Sequence, residues 1–164
     1  MELQADVVIV GTGVAGLFAA LSLPREKKIM MLTKSDAESS DSFLAQGGIC
    51  VMRDENDYDD FMEDTMKAGH YENRKESVDI MIKGSREVID DLIAYGVEFD
   101  RKNGELAYTK EGAHSKPRIL FHKDITGKEI TSKLLDRVRE LENVVIYEYT
   151  TMTDLLIEDG ICKG

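Results

Sequence analysis

Gly11, Gly13 and Gly16 stand in a GTGVAG run directly behind the β-branched stretch Val7–Val10. Each glycine has a separate task in holding a diphosphate. Gly11 permits a tight exit from a strand, Gly13 lets an anion approach a backbone that has no Cβ, and Gly16 lets the following helix pack close. The unpaired N–H groups and the dipole at that helix start then face the anion. The spacing is a weak signal alone, but strand before and helix after are the context this chemistry needs. Further on, Ser39–Gly48 reads SSDSFLAQGG. Ser40 and Ser42 offer hydroxyls, and the Gly47–Gly48 amides can come close to a flat ring. A nicotinamide dinucleotide would call for an acidic residue near the end of the second strand. Thr33, Lys34 and Ser35 stand there, with Asp36 late; Lys34 suits phosphate or the adenosine end instead.

Other reactive side chains are weighed against plainer roles. Glu111 lies in a polar loop. His114 and His122 read as structural hydrogen-bonders and His70 as a helix-end residue. Arg118 reads as a brace for its hairpin loop more than as a partner for a substrate carboxylate. The acidic run Asp54, Glu55, Asp57, Asp59 and Asp60 lacks the glycine at position six of a calcium loop, so it reads as a solvated helix start. The 3 His and 2 Cys show no CxxC or HxxxH spacing, and no metal site is expected. The 8 Met read as packing residues.

These groups need elements to place them. Val7–Val10 reads as a strand buried on both faces of a parallel sheet. Leu17, Ala20, Leu21 and Leu23 continue as a helix until Pro24, and Lys28–Thr33 is a second strand, which makes a βαβ unit. The stretch 35–48 reads as a long functional loop. Helices are expected over Asp57–Ala68, Arg74–Tyr95 and Thr126–Leu141. In the second of these, Val78, Met81, Ile82, Ser85, Val88, Ile89, Leu92 and Ile93 recur at i, i+3, i+4, i+7 spacing, and Gly96 ends it. Asn103–Gly104 predicts a hairpin between Val97–Phe99 and Leu106–Tyr108. Short strands are expected at Arg118–His122 and Val144–Tyr149, and a second hairpin turns at Asp159–Gly160. The order implies an α/β, Rossmann-like domain with a parallel sheet. One domain spans 1–164, and a sheet that ends on so short a strand reads as part of a larger domain whose bared edges would promote association.

The 164 residues are 42% apolar and 32% charged with a net charge of −11. This composition excludes a disordered tail and argues against a nucleic-acid surface or a polybasic membrane patch. No apolar run approaches the roughly 20 residues of a membrane span. Cys50 and Cys162 suggest no disulfide, which fits a reducing, cytoplasmic setting.

The Ser39–Gly48 segment resembles the flavin loop of the succinate dehydrogenase/fumarate reductase flavoprotein superfamily, where a Ser-rich stretch ends in Ala-Gln-Gly-Gly. A later stretch, Lys110-Glu111-Gly112-Ala113-His114-Ser115 followed by Arg118-Ile119 and Asp124-Ile125-Thr126-Gly127, narrows the resemblance to the L-aspartate oxidase family, over Val7 to about Ile157. The resemblance implies an N-terminal FAD-binding portion. Asp41 stands where respiratory members carry the His bonded to flavin, so FAD is expected without a covalent bond. Gly11, Thr12, Gly13, Val14, Ala15 and Gly16 would hold the diphosphate, and Lys34 the adenosine end. Asp41, Ser42, Phe43, Leu44, Ala45, Gln46, Gly47 and Gly48 would line the flavin, with Thr151 and Met152 on the adenine side. Glu111 would face the substrate ammonium. The implied reaction is oxidation of L-aspartate to iminoaspartate, with oxygen or fumarate as acceptor, in NAD (quinolinate) biosynthesis. The acid/base Arg would lie outside this chain, which therefore carries no catalytic residue and would be inactive alone. The alternatives are part of a soluble fumarate reductase or succinate dehydrogenase flavoprotein, and a non-catalytic nucleotide-binding module.

Overall fold

The computed structural model describes residues 2–164 and divides into two compact units, Met1–Leu44 with Ile130–Gly164, and Ala45–Glu129. The first holds β1 (Val7–Val10), α1 (Val14–Ser22), β2 (Ile29–Leu32) and α2 (Asp41–Leu44). The second holds β3 (Ile49–Cys50), a 3-10 turn at Glu55–Asp57, α3 (Tyr58–Ala68), α4 (Lys75–Ala94), β4 (Arg101–Lys102), β5 (Glu105–Leu106) and β6 (Ile119–Leu120). α5 (Thr126–Arg139) leads back to the first unit, which ends with β7 (Val144–Tyr147), β8 (Ile157–Glu158) and β9 (Ile161–Cys162).

In the first unit β1, β2 and β7 form a parallel sheet in that order, with Val7 level with Ile29 and Ile29 level with Val144. Short β-branched and apolar runs form these strands because alternate side chains reach opposite faces. On one face Ile29 and Met31 are buried, as are Leu17, Ala20 and Leu21 of α1. The other face corrects the expectation of a strand buried on both sides: Val8, Val10 and Val145 are 49%, 53% and 51% exposed. The alternation is that of a half-covered sheet. α1 stops at Leu23, whose N–H reaches Ala19 O just before Pro24. The β8–β9 hairpin turns through Asp159 and Gly160, both at positive φ.

In the second unit α3 and α4 enclose a core of Phe61, Met62, Val78 and Ile82. β3 pairs antiparallel with β6. Three local expectations shift. The long loop before Gly48 contains α2, because Ser40 accepts the Phe43 N–H on its Oγ (3.2 Å) and caps a helical turn. The Asn103–Gly104 hairpin is tighter than expected, pairing only Arg101–Lys102 with Glu105–Leu106. Val97 and Phe99 serve as buried packing residues. Methionines are not uniformly in the core either: Met31 and Met62 are buried, but Met81 and Met152 are exposed. Among the described residues no helix is long and apolar enough to cross a membrane.

Candidate functional site

In the first unit, the carboxyl ends of β1 and β2 and the segment after β7 converge on a groove of about 450 Å³. It is lined by Gly11, Thr12 and Gly13 from the turn, Lys34 after β2, Asp41 and Ser42 of α2, and Thr151 and Met152 beyond β7. This is the place where open parallel sheets bind ligands. Gly11 adopts φ +104°, a left-handed conformation that glycine alone takes at little cost. A Cβ on Gly16 would overlap the carbonyl oxygen of Gly11; that glycine is what allows α1 to start so close to the strand. Gly13 caps α1 without a side chain, so intrahelical bonding leaves the first-turn amides to other acceptors. Ser42 Oγ takes the Val14 N–H at 3.2 Å, and its hydroxyl keeps a proton to donate.

Thr12 is 2% exposed, and its buried hydroxyl has no hydrogen-bond partner among the described residues. An unpaired buried hydroxyl is costly. Placed in the anion turn, it fits a ligand oxygen. The turn after β7 is tied down by Tyr149 N–H to Ser35 O (3.1 Å) and Thr150 N–H to Thr33 O (2.8 Å). Asp36 is engaged in its own turn, accepting from Ser39 N (2.9 Å) and Ser39 Oγ (2.7 Å). The Ser39 hydroxyl, above all, holds the Asp36 carboxyl below its ordinary range. Lys34, not Asp36, therefore lines the groove. Val14 and Ala15 lie exposed in the first turn of α1, and Phe43 and Leu44 complete α2, with Leu44 exposed.

Ala45, Gln46, Gly47 and Gly48 belong to the second unit and are exposed. The two glycines differ. A Cβ on Gly47 would meet only Glu111 Oε1, at 3.8 Å, whereas one on Gly48 would overlap Ile119 Cγ2 and Leu120 O. Gly48 is thus required by the approach of β6, and Gly47 is the one with open space. The contact also sets Glu111 beside Gly47. Glu111 is exposed and makes no ion pair among the described residues.

Arg118 is bonded within the second unit. It is 0% exposed. It donates to Asp57 through Nε (3.3 Å) and Nη2 (2.7 Å), to Asp64 through Nη1, and to Ser115 Oγ (3.4 Å). Its guanidinium also lies 4.8 Å from the Phe61 ring centroid. Burial pushes the Asp57 carboxyl up, but the Arg118 hydrogen bonds and the Arg53 N–H outweigh it and leave the group below its ordinary value. In Asp64 burial is likewise outweighed, by the Ser115 N–H and then Arg118. This corrects the reading of the acidic run as wholly solvated: Asp57 is buried because it answers a buried cation. Nothing in the spacing of Asp57, Asp64, Ser115 and Arg118 announces that grouping. His114 Nε2 lies 3.2 Å from Cys50 Sγ, while its Nδ1 is buried and unpaired. Burial raises the Cys50 thiol, against the pull of Arg118 and with the push of Glu111. His122 Nδ1 is 3.7 Å from Asp100 Oδ1, beyond a hydrogen bond. His70 sits at φ +52° after α3. Cys50 and Cys162 are free.

Residues 6–164 match the FAD binding domain family. The chain is 47% identical over 165 aligned residues to the L-aspartate oxidase of Clostridium acetobutylicum, covering 100% of this chain and 38% of the relative. Among solved structures it superposes on Mycobacterium smegmatis Sdh1 with a TM-score of 0.87 at 27% identity, over 96% of this chain and 29% of that one. The E. coli quinol fumarate reductase chain FrdA gives 0.93 at 24% identity, over 99% and 29%, and establishes the fold alone. The chain thus spans well under half the length of these relatives.

Proposed function

The chain belongs to the FAD binding domain family, and from that premise we propose that it is part of an L-aspartate oxidase-like flavoenzyme converting L-aspartate to iminoaspartate. Oxygen or fumarate would be the acceptor, in the route to quinolinate and NAD. Bound FAD supplies the redox chemistry by taking up the hydride equivalent. The residues of this chain bind and orient. The groove in the first unit carries the reading: its glycine turn, the unpaired Thr12 hydroxyl and Lys34 suit a diphosphate and its adenosine end. Gly11, Thr12, Gly13, Val14, Ala15 and Gly16 hold the diphosphate, Asp41, Ser42, Phe43 and Leu44 extend the cofactor contacts, and Thr151 and Met152 serve the adenine side. Ala45, Gln46, Gly47 and Gly48 serve the ring. Asp41 stands where respiratory members carry the flavin-bonded His, so the cofactor is held without a covalent link.

Glu111 is assigned to the substrate. An unpaired carboxylate beside Gly47 attracts the ammonium of an amino acid and repels a plain dicarboxylate. That distinction, with 47% identity to an L-aspartate oxidase against 27% to Sdh1, favours aspartate over succinate as the bound donor. We propose that the chain alone does not turn over, because the family resemblance puts the acid/base Arg in a region this chain does not include.

Two measurements test this. The purified chain, mixed with FAD and desalted, should retain a flavin absorbance band; a colourless protein with no FAD binding on titration overturns the cofactor assignment. In a chimera in which this chain replaces its matching segment of the C. acetobutylicum relative, Glu111→Gln should weaken aspartate binding and spare fumarate. Equal losses for both would remove Glu111 from the ammonium.

A further inference from the structure

The segment that carries Glu111 is held by contacts that none of the assigned roles uses. Asp64 Oδ2, on α3, accepts from Ser115 N (2.8 Å), from Ser115 Oγ (2.7 Å) and from Arg118 Nη1. Asp57, at the start of α3, takes the other side of the same guanidinium. Lys116 Nζ adds a bond to Asn56 O (3.2 Å) and an ion pair with Asp60 (2.6 Å). His114 N–H closes a turn onto Glu111 O (3.0 Å). The result is a chain of bonds from α3 to the Glu111 backbone, with Glu111's own carboxylate left out of it. A surface loop would not need a fully buried arginine, and burying one demands that nearly all its donors be satisfied. Here the donors are spent on two carboxylates and on the loop.

We infer that Asp57, Asp64, Ser115 and Arg118 are positioning residues that clamp the segment 111–116 to α3 and thereby fix the Glu111 carboxylate beside Gly47. The clamp is a mechanical statement about this chain; its consequence for substrate rests on the assignment of Glu111 above. A flexible loop glutamate would meet an ammonium only after paying the entropy of ordering. A clamped one is ready for it, so loosening the clamp weakens substrate binding by that ordering cost.

The clamp is tested first without substrate, by amide hydrogen exchange on this chain. Asp64→Ala, and Ser115→Ala as the milder change, should speed exchange over 111–116 by about tenfold or more while β1, β2 and α1 keep their rates. No change over 111–116 overturns the inference, and so does an equal acceleration everywhere, which would mark a loss of global stability only. In the chimera, Ser115→Ala should raise KM for aspartate with kcat nearly unchanged, and that rise should vanish when Glu111→Gln is already present. A rise of the same factor in both backgrounds overturns the link to Glu111. If Glu111→Gln itself leaves KM untouched, the ammonium assignment falls and the exchange result decides the clamp independently.

Discussion

Thr12 and Arg118 are opposite cases of a buried polar group. Arg118 is fully buried and richly bonded; removing either side of such a pair costs about 3–5 kcal/mol, because the partner stays buried and uncompensated. Thr12 is buried and unbonded. An unpaired buried hydroxyl costs the fold free energy. Thr12→Val should therefore leave thermal stability unchanged or slightly higher. FAD affinity should fall by the about 1.5–3 kcal/mol of a hydrogen bond to a charged group, roughly 10- to 100-fold. Titration of flavin fluorescence against both proteins reads this directly, and equal affinities would take the hydroxyl out of the site. The type of residue at position 12 was legible from the motif. That its hydroxyl would lack a partner was not, since that depends on what the rest of the first unit places around it.

At the scale of elements, the glycines separate into those that close packing demands and those that face open space. Gly16 is demanded by the closeness of α1 to the turn carbonyl of Gly11, and Gly48 by the closeness of β6. Gly16→Ala should lower the melting temperature, with about 1–3 kcal/mol of overpacking strain as the expected scale, and circular dichroism will show it. Gly47→Ala, which meets open space apart from Glu111, should leave melting unchanged; an equal drop in both would undo the distinction. Helix α2 belongs to the same lesson. Ser40 and Asp41 carry a helix-start signature, yet four residues are too few for periodicity to register. The long helix α4, by contrast, was readable almost to its ends from helical spacing, and of the residues so spaced Val78, Ile82, Ile89 and Leu92 are the buried ones, whereas Met81 is exposed. The Asn103–Gly104 turn was readable from backbone chemistry, both residues sitting at positive φ.

For the molecule as a whole, two behaviours follow. Asp57 and Asp64 lie below the ordinary aspartate value of 3.8 when folded. A depressed carboxylate stabilises the fold fully above its unfolded value, and that contribution is lost as pH falls through the folded one. Acid should thus destabilise the chain below about pH 4, and Asp64→Asn should flatten that dependence in melting curves taken across the range. An unaltered slope would mean the Arg118 cluster is not the acid-sensitive element. The exposed sheet face of Val8, Val10 and Val145 should drive concentration-dependent association. Val8→Lys should suppress it in light scattering, and a wild-type chain that stays monomeric would show the face to be inert. The sequence by itself determined the βαβ unit with its glycine turn, the four longer helices α1, α3, α4 and α5, and the two Gly-centred hairpin turns, because these follow from local periodicity and from φ angles that only certain residues adopt. Only the tertiary structure decided that Asp57 and Asp64 would converge on Arg118, that Gly48 is a packing residue, and that one face of the sheet stays open. Those outcomes depend on which distant residues share a volume, and burial changes the meaning of a charge or a missing side chain in ways no local spacing records.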